Sequence, residues 1–200
     1  EIRNCNWSSD VCSSDLLLPD VALRAETYPD EMVTKMLLDR SLDIVLSHEA
    51  ANLPELESVP VGKVELILTT TLPRTQHDLE SALANNYVYV EWGPLFSRFH
   101  ARAFPNAPPP VLRTNMSTTA LEFIRARRGS AFLPRSQLQA SSKPRLYEVK
   151  DAARFERTVN AIFRVNSDRV ELVREIVEQL QGVELDRKST RLNSSHSSVS

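Results

Sequence analysis

Residues 37–46, Leu-Leu-Asp-Arg-Ser-Leu-Asp-Ile-Val-Leu, join a helical pattern to a strand pattern within a few positions. Just before them, the apolar residues of 32–37 recur at the spacing of one face of an α-helix. Residues 42–46 form a short apolar run that is typical of a buried strand. A helix that passes so directly into a buried strand indicates a protein of the α/β class.

The same alternation continues along the chain on both sides of this stretch. Strand patterns occur at 21–26, 64–71, 87–90, 111–114, 130–133, 146–149 and 157–165, and helical patterns occur at 78–84, 94–103, 117–128 and 167–180. Repeated β-α-β units with short links predict mostly parallel sheets covered by helices. We expect Ser117 to cap the helix that it begins, and Gly129 to end that helix as a C-cap.

Both ends of the chain match one DNA element read in opposite directions. Codons that spell residues 186–196 give, as their reverse complement in a shifted frame, codons for residues 7–15. The two stretches resemble a translated sequencing-library adapter, and such segments are excluded from reasoning about the fold. We interpret 1–16 and 186–200 as non-native tails, with ordinary Ser-rich disordered tails as the alternative.

Composition limits the chemistry that the segment between these tails can carry. Cys5 and Cys12 both lie in the N-terminal tail, which excludes disulfides and thiol chemistry from the remainder. The formal net charge is −2, and a chain without a basic stripe is a poor candidate for a nucleic-acid surface. No apolar run approaches the ~20 residues of a membrane span, and no signal peptide is visible. We therefore expect a cytoplasmic protein without membrane contact.

The sequence contains no motif typical of an enzyme. A phosphate loop, a dinucleotide fingerprint, a nucleophile elbow and a zinc-protease motif are all missing. His48, His77 and His100 are too far apart in sequence to resemble a pair of metal ligands. We interpret His100, one helical turn after Phe96, as a packed and hydrogen-bonded histidine. The expectation is a protein that is not an enzyme and that uses neither a metal nor a cofactor.

Polar residues and one tryptophan follow several of the buried strands. In open α/β sheets, ligands bind outside the carboxyl ends of the strands, and helix N-termini favour anions. The candidate site residues are Ser47, Thr69, Thr70, Trp92, Asn115, Ser117 and Thr118. Ordinary caps and turns remain an alternative for each of them. Because the group contains no Lys or Arg, we expect the ligand to be a small organic anion or a polar aromatic molecule.

The order of these motifs is similar to the effector-binding domain of LysR-type transcription regulators. Residues 37–45 resemble that family's step from a leucine through a short turn to a leucine-aspartate pair and a core strand. Further along, Arg113-Thr-Asn115, a helix, and then Arg-Arg-Gly-Ser-Ala-Phe-Leu-Pro134 resemble an element of the family's second lobe. The resemblance covers nearly all of 17–181.

This resemblance implies a type 2 periplasmic-binding-protein fold, with two α/β lobes, two crossing strands and a small effector in the cleft. Lobe one would comprise 17–71 and 158–185, and lobe two would comprise 72–157. By position in the family, the residues that would face the effector are Ser47, Thr70, Trp92, Asn115 and Ser117. The family's first strand and helix of lobe one have no counterpart here, so we expect a fold that is truncated at its N-terminal end.

The implied function is effector sensing on behalf of a regulator of transcription. The parent protein would be a homo-oligomer that binds promoter DNA through a helix-turn-helix missing from this chain. A stand-alone solute-binding protein of the same fold is the alternative, and nothing in the residues favours an enzyme such as a small transferase. Upstream coding sequence would distinguish these readings, since a helix-turn-helix supports the first and a signal peptide the second.

Overall fold

Helices and strands alternate along the chain. The computed structural model describes residues 2–3, 23–24, 26, 28–73, 75, 77–139 and 143–181. The strands are β1 (Ile2–Arg3), β2 (Leu23–Arg24), β3 (Ile44–Ser47), β4 (Leu56–Thr70), β5 (Tyr87–Val90), β6 (Leu112–Thr114), β7 (Ser130–Pro134), β8 (Tyr147–Glu148) and β9 (Phe155–Arg164). The helices are α1 (Asp30–Leu38), α2 (Leu79–Ala84), α3 (Pro94–Ala103), α4 (Ser117–Arg127) and α5 (Val170–Gln181), and a 3-10 helix spans Arg135–Gln139.

The described residues divide into two compact units. Unit 1 extends up to Val64 and resumes at Arg157, and unit 2 spans Glu65–Glu156. The chain therefore passes between the units twice, once within β4 and once within β9. The tails predicted at 1–16 and 186–200 lie outside the described residues, apart from β1, which pairs in parallel with β2.

Unit 1 has a small core between its helices and strands. In the sheet order, β9 lies between β3 and β4, and it pairs with β3 in an antiparallel register from Ile44 opposite Phe163 to Ser47 opposite Asn160. One face of α1 packs against strand residues, forming a cluster of Val33, Leu37, Leu42, Val45, Leu56 and Ile162. Helix α5 buries Val173, Ile176, Val177 and Leu180, as the helical period of its apolar residues predicts.

Unit 2 is built on a mixed sheet. The second half of β4 pairs in antiparallel register with β7 and, at its end, with β8. Strand β5 lies between β7 and β6 and is parallel to both. Helix α4 packs against this parallel part, forming a core of Val88, Val90, Ala120, Ile124, Ala131, Leu133 and Leu146.

A second cluster in unit 2 is aromatic and includes the one histidine that the sequence placed in a packed environment. The Nε2 of His100 lies 2.8 Å from the hydroxyl of Tyr87, and its ring stacks with that of Tyr87. Phe96 and Phe104 contact the His100 ring from other sides. Burial, and then the positive charge of Arg113, lower the pKa of His100. This confirms the interpretation of His100 as a packed, hydrogen-bonded side chain.

Two expectations about the elements need correction. The sheets are mixed rather than mostly parallel, since β4 pairs with β7 and β3 with β9 in antiparallel register. Strand β4 is also much longer than the 64–71 predicted, because it begins at Leu56. Its first half contains Pro60 and Gly62, and both residue types are disfavoured within strands. The sequence pattern therefore did not predict a strand there.

No helix in the described ranges is long and apolar enough to cross a membrane. The same ranges contain no group of three or more His, Cys, Asp or Glu side chains that could hold a metal ion.

Candidate functional site

Two helices of unit 2 begin at the same edge of its sheet. Strands β5 and β6 are parallel, with Val90 opposite Thr114, and the Glu91 backbone N–H donates to the Thr114 carbonyl at 2.8 Å. Helix α3 begins four residues after β5 ends, and α4 begins three residues after β6 ends. The N-termini of α3 and α4 therefore both lie at the carboxyl edge of β5 and β6, which we call the β5–β6 edge.

Local sequence explains why each helix begins where it does. Gly93 precedes α3 with φ of 91°, a conformation that favours glycine, and Pro94 takes the first helical position, where its missing N–H costs nothing. Met116 is the N-cap of α4, and its backbone N–H donates to Thr114 Oγ1 at 3.1 Å. The expectation that Ser117 caps α4 was wrong, because Ser117 is already the first helical residue.

The electrostatics of this edge favour an anion. Neither α3 nor α4 has an acidic residue in its first turn, so the positive ends of both helix dipoles are uncompensated there. The Glu91 carboxylate opposes this field, but it lies 3.6 Å from the Arg113 guanidinium. That guanidinium in turn sits 4.4 Å above the Tyr89 ring. The acid is thus partly neutralised by a cation on the neighbouring strand.

Four of the predicted site residues come together at the β5–β6 edge. Asn115 and Thr118 are exposed and Ser117 is half-buried. Trp92 is also half-buried, packs against the core cluster of unit 2, and donates its indole N–H to the Phe132 carbonyl at 3.0 Å. The hydrogen bond fixes the indole at the edge, where one part of the ring supports the core.

Thr69 and Thr70 occupy a different environment from the one predicted. Both side chains are fully buried in β4. The Thr69 hydroxyl donates to the Ala131 carbonyl at 3.0 Å, and the Thr70 hydroxyl donates to the Gly129 carbonyl at 3.2 Å. These hydrogen bonds join β4 to the residues around β7, so the hydroxyl protons of Thr69 and Thr70 are both donated to main-chain carbonyls.

Ser47 lies in unit 1, at the end of β3. Its side chain is half-buried, and its Oγ accepts a hydrogen bond from the Glu49 backbone N–H at 3.1 Å. Beside it, His48 Nδ1 lies 2.9 Å from the Thr158 carbonyl. Ser47 therefore stands at the carboxyl end of a buried strand, as the sequence predicted, with a turn hydrogen bond to its own loop.

The sequence reasoning missed two apolar side chains at the β5–β6 edge. Leu95, in the first turn of α3, is 66% exposed, and Met116, at the start of α4, is 57% exposed. Their position beside Trp92 and Asn115 in the sequence was a usable signal, but apolar residues at helix starts are ordinarily taken for core. Exposed here, they add apolar surface beside Trp92 to an edge that also carries the polar Asn115, Ser117 and Thr118.

Comparison with known proteins assigns this architecture. Residues 16–184 match the family model described as "LysR substrate binding domain". The chain is 31% identical over 149 residues to the HTH-type transcriptional regulator HdfR of Escherichia fergusonii, covering 74% of this chain and 50% of that protein. HdfR of Escherichia coli O17:K52:H18 matches with the same identity and coverage. The chain thus spans about half the length of the curated relatives it matches.

Solved structures show the same fold. The regulatory domain of HypT from Salmonella typhimurium in its apo form aligns with a TM-score of 0.68 at 16% identity, covering 84% of this chain and 86% of that one. CbnR, described as a LysR family transcriptional regulator, aligns with a TM-score of 0.60 at 19% identity, covering 81% of this chain and 59% of that one. Helices on a mixed sheet in the periplasmic-binding-protein-like arrangement are therefore shared with LysR regulatory domains.

Proposed function

This chain belongs to the LysR substrate binding domain family, and we propose that it senses a small effector for a DNA-binding regulator of transcription. The observation that carries the proposal is the family match over residues 16–184, which covers both units. The curated relatives are named as HTH-type transcriptional regulators, and a full-length CbnR has been solved with its target DNA. By analogy, the parent of this chain would be a cytoplasmic homo-oligomer that binds promoter DNA and has no catalytic role.

We assign effector binding in unit 2 to the β5–β6 edge. Its two helix N-termini carry no acid in their first turns, so they supply positive potential and backbone N–H donors. Ser117, Thr118 and Asn115 add short polar side chains, while Trp92 supplies an aromatic surface. Ser47 lies in unit 1, and its role in effector binding stays a prediction. Thr69 and Thr70 would support the site by holding β4, because their hydroxyls already donate to carbonyls.

The chemistry of the edge narrows the effector to a small organic anion with an apolar or aromatic part. No Lys or Arg lies among the assigned residues, so the anionic charge would be met by helix dipoles and hydroxyls instead of by an ion pair. Such dipole interactions contribute about 0.3–1 kcal/mol each at exposed sites, which predicts weak binding. The exposed Leu95 and Met116 favour ligands whose carboxylate is attached to an apolar body.

A thermal-shift screen of aliphatic and aromatic carboxylic acids tests this assignment. A ligand that binds only the folded state stabilises it by about 2.7 kcal/mol at a hundredfold excess over Kd. We expect a hit whose shift is lost in Ser117→Ala and reduced in Trp92→Phe, which keeps an aromatic ring but removes the indole N–H.

Thr34→Ala is the matched control for loss of a helix hydroxyl, because Thr34 is exposed on α1 of unit 1. It should leave the ligand-induced shift unchanged. A hit whose shift survives both Ser117→Ala and Trp92→Phe would place the ligand elsewhere and overturn the assignment of the β5–β6 edge.

A further inference from the structure

Unit 1 contains a polar pocket away from every residue assigned to the effector. Its volume is about 430 Å³, and it is lined by three arginines and two serines, namely Arg40, Arg164, Arg169, Ser41 and Ser167. These residues come from the turn after α1, from the end of β9, and from the turn that leads into α5. None of these residues takes part in the cores described above, so the arginines are not explained by packing.

Two acidic side chains also line the pocket, and they do not cancel its positive charge. Asp43 lies 3.7 Å from the Arg169 guanidinium, which pairs those two residues. Asp168 is exposed at the pocket's rim. Three arginines against two aspartates leave an excess of one positive charge. The N-terminus of α5 starts directly after Arg169, but Glu171 in its first turn offsets the positive end of that helix, so the excess charge comes from the arginines.

Arg164 is half-buried and forms part of the pocket wall. Its Nε is covered by protein and has no hydrogen-bond partner among the described residues. A buried charged donor without an acceptor is costly, by about 1–3 kcal/mol or more. A guanidinium presents its N–H groups in a planar fork that fits two oxygens of one phosphate or carboxylate.

We propose that this pocket of unit 1 is a second ligand site, separate from the effector site, and that it binds a small oxyanion between Arg40 and Arg164. The excess of only one positive charge favours inorganic phosphate, sulfate or a compact carboxylate over a polyphosphate. The pocket volume leaves room for a small organic group attached to the anion.

Titration of the chain with inorganic phosphate, followed by calorimetry against sodium chloride of equal ionic strength, tests the proposal. We expect saturable binding of phosphate and none of chloride. Arg40→Gly and Arg164→Gln should each weaken phosphate binding by about tenfold or more, which is a loss of about 1.4 kcal/mol.

The chain offers a closely matched control for Arg40→Gly. Arg128 is also an exposed arginine at positive φ after a helix, with φ of 54° against 67° at Arg40, but it lies in unit 2. Arg128→Gly removes the same charge and should leave phosphate binding unchanged. Because glycine adopts a positive φ freely, neither variant should lose its fold, which circular dichroism checks.

Three results would overturn the proposal: no saturable phosphate binding, equal binding by wild type and Arg40→Gly, or equal weakening by Arg40→Gly and Arg128→Gly. Ser117→Ala separates this site from the effector site. If that substitution abolishes phosphate binding, the phosphate occupies the β5–β6 edge and the pocket of unit 1 is not a ligand site. A failed carboxylate screen at the β5–β6 edge leaves the result at this pocket unaffected.

Discussion

Two helix-to-strand corners of this protein, one in each unit, contain an arginine at positive φ but differ in what holds them. In unit 1, α1 ends before Arg40, and in unit 2, α4 ends before Arg128. Both arginines are exposed and have a positive φ, 67° and 54°, which is uncommon for a residue other than glycine. Each is followed within four residues by a buried strand. At both corners, the chain therefore turns from a helix into a strand through an arginine with positive φ.

The corner of unit 1 is held by hydrogen bonds within its own few residues. The backbone N–H of Arg40 donates to the Leu37 carbonyl at 3.3 Å, and that of Ser41 donates to the Met36 carbonyl at 2.9 Å. The Asp39 carboxylate also accepts from the Ser41 N–H at 3.0 Å. Every partner lies within six residues in the sequence. The hydrogen bonds of this corner are therefore all local.

The corner of unit 2 has a similar local hydrogen bond, from the Gly129 backbone N–H to the Ile124 carbonyl at 3.1 Å, but it is also held by residues far away in the sequence. The Asn86 side-chain amide donates to the carbonyls of Arg127 and Arg128, and Thr71 Oγ1 accepts from the Gly129 N–H at 3.0 Å. These partners are 41 to 58 residues apart. Arg128 has a positive φ, like Arg40 in unit 1. At this corner, however, the segments that contain Thr71, Asn86 and Gly129 must all come together. Substitutions should therefore be tolerated at the first corner and costly at the second.

The largest effect is expected at Gly129. A side-chain Cβ at this position would press against the backbone oxygen of Asn86 and lie 2.9 Å from the Asn86 Cβ. Because the obstacle is backbone, relief requires movement of the strand itself. We expect Gly129→Ala to lower the free energy of unfolding by about 3 kcal/mol, measured by chemical denaturation.

Ser41→Ala provides the matched comparison, since Ser41 follows Arg40 as Gly129 follows Arg128. Ser41 is exposed and already carries a Cβ, so a change within about 0.5 kcal/mol is expected. Equal losses in Gly129→Ala and Ser41→Ala would mean that the two corners do not differ as described.

A smaller but still large effect is expected at Thr71. Its hydroxyl is buried, donates to the Ile124 carbonyl at 2.6 Å and accepts from the Gly129 N–H. Valine has the same shape without the hydroxyl, so Thr71→Val would remove both of these buried hydrogen bonds, while the Gly129 N–H would keep its donation to the Ile124 carbonyl at 3.1 Å. The expected loss in unfolding free energy is about 2 kcal/mol.

Thr71→Ser distinguishes the hydrogen bonds from the packing of the methyl group. Serine keeps the hydroxyl, so this variant should lose much less stability than Thr71→Val in the same denaturation experiment. If the two variants are equally destabilised, the stability at this position comes from the methyl group and not from the hydroxyl. The hydrogen bonds of Thr71 would then not stabilise the second corner.

Locally determined features could be predicted from the sequence. The bounds of β5 and α3 match the sequence patterns at 87–90 and 94–103, because apolar periodicity and Pro94 are local signals. The left-handed residue after α4 could not be predicted. The glycine rule assigned it to Gly129, whereas the structure places it at Arg128 and uses Gly129 for its lack of a Cβ. A Cβ is excluded at position 129 by the backbone of Asn86. Asn86 is 43 residues away in the sequence, so the residues next to Gly129 give no sign of this contact.

In the candidate site, too, some positions could be predicted from the sequence and others depended on tertiary structure. Trp92, Asn115 and Ser117 were correctly expected at one edge, since β5 and β6 are parallel and the rule for strand ends applies to parallel strands. Thr69 and Thr70 also end a strand, but β4 is antiparallel to β7 whereas β5 is parallel to it, so the end of β4 lies level with the start of β5 and not at the β5–β6 edge. Both side chains are also buried. Strand direction is a tertiary property, and the sequence pattern of β4 does not encode it. Whether the residues at the edge bind an effector stays a prediction.

The smallest effect is also the one that tests what the two corners share. Replacing an arginine at positive φ with glycine removes the clash of its Cβ with the backbone, while glycine adds entropy to the unfolded chain. We expect Arg40→Gly and Arg128→Gly each to raise the unfolding free energy by about 0.5–1 kcal/mol, and by a similar amount. The gain should be similar because the strain arises from a positive φ, which both positions share. Denaturation of both variants in phosphate-free buffer measures it without a contribution from ligand binding. A gain in stability at Arg40 alone would show that the long-range contacts of the second corner depend on the Arg128 side chain. The two corners would then differ at the arginine itself and not only in the contacts around it.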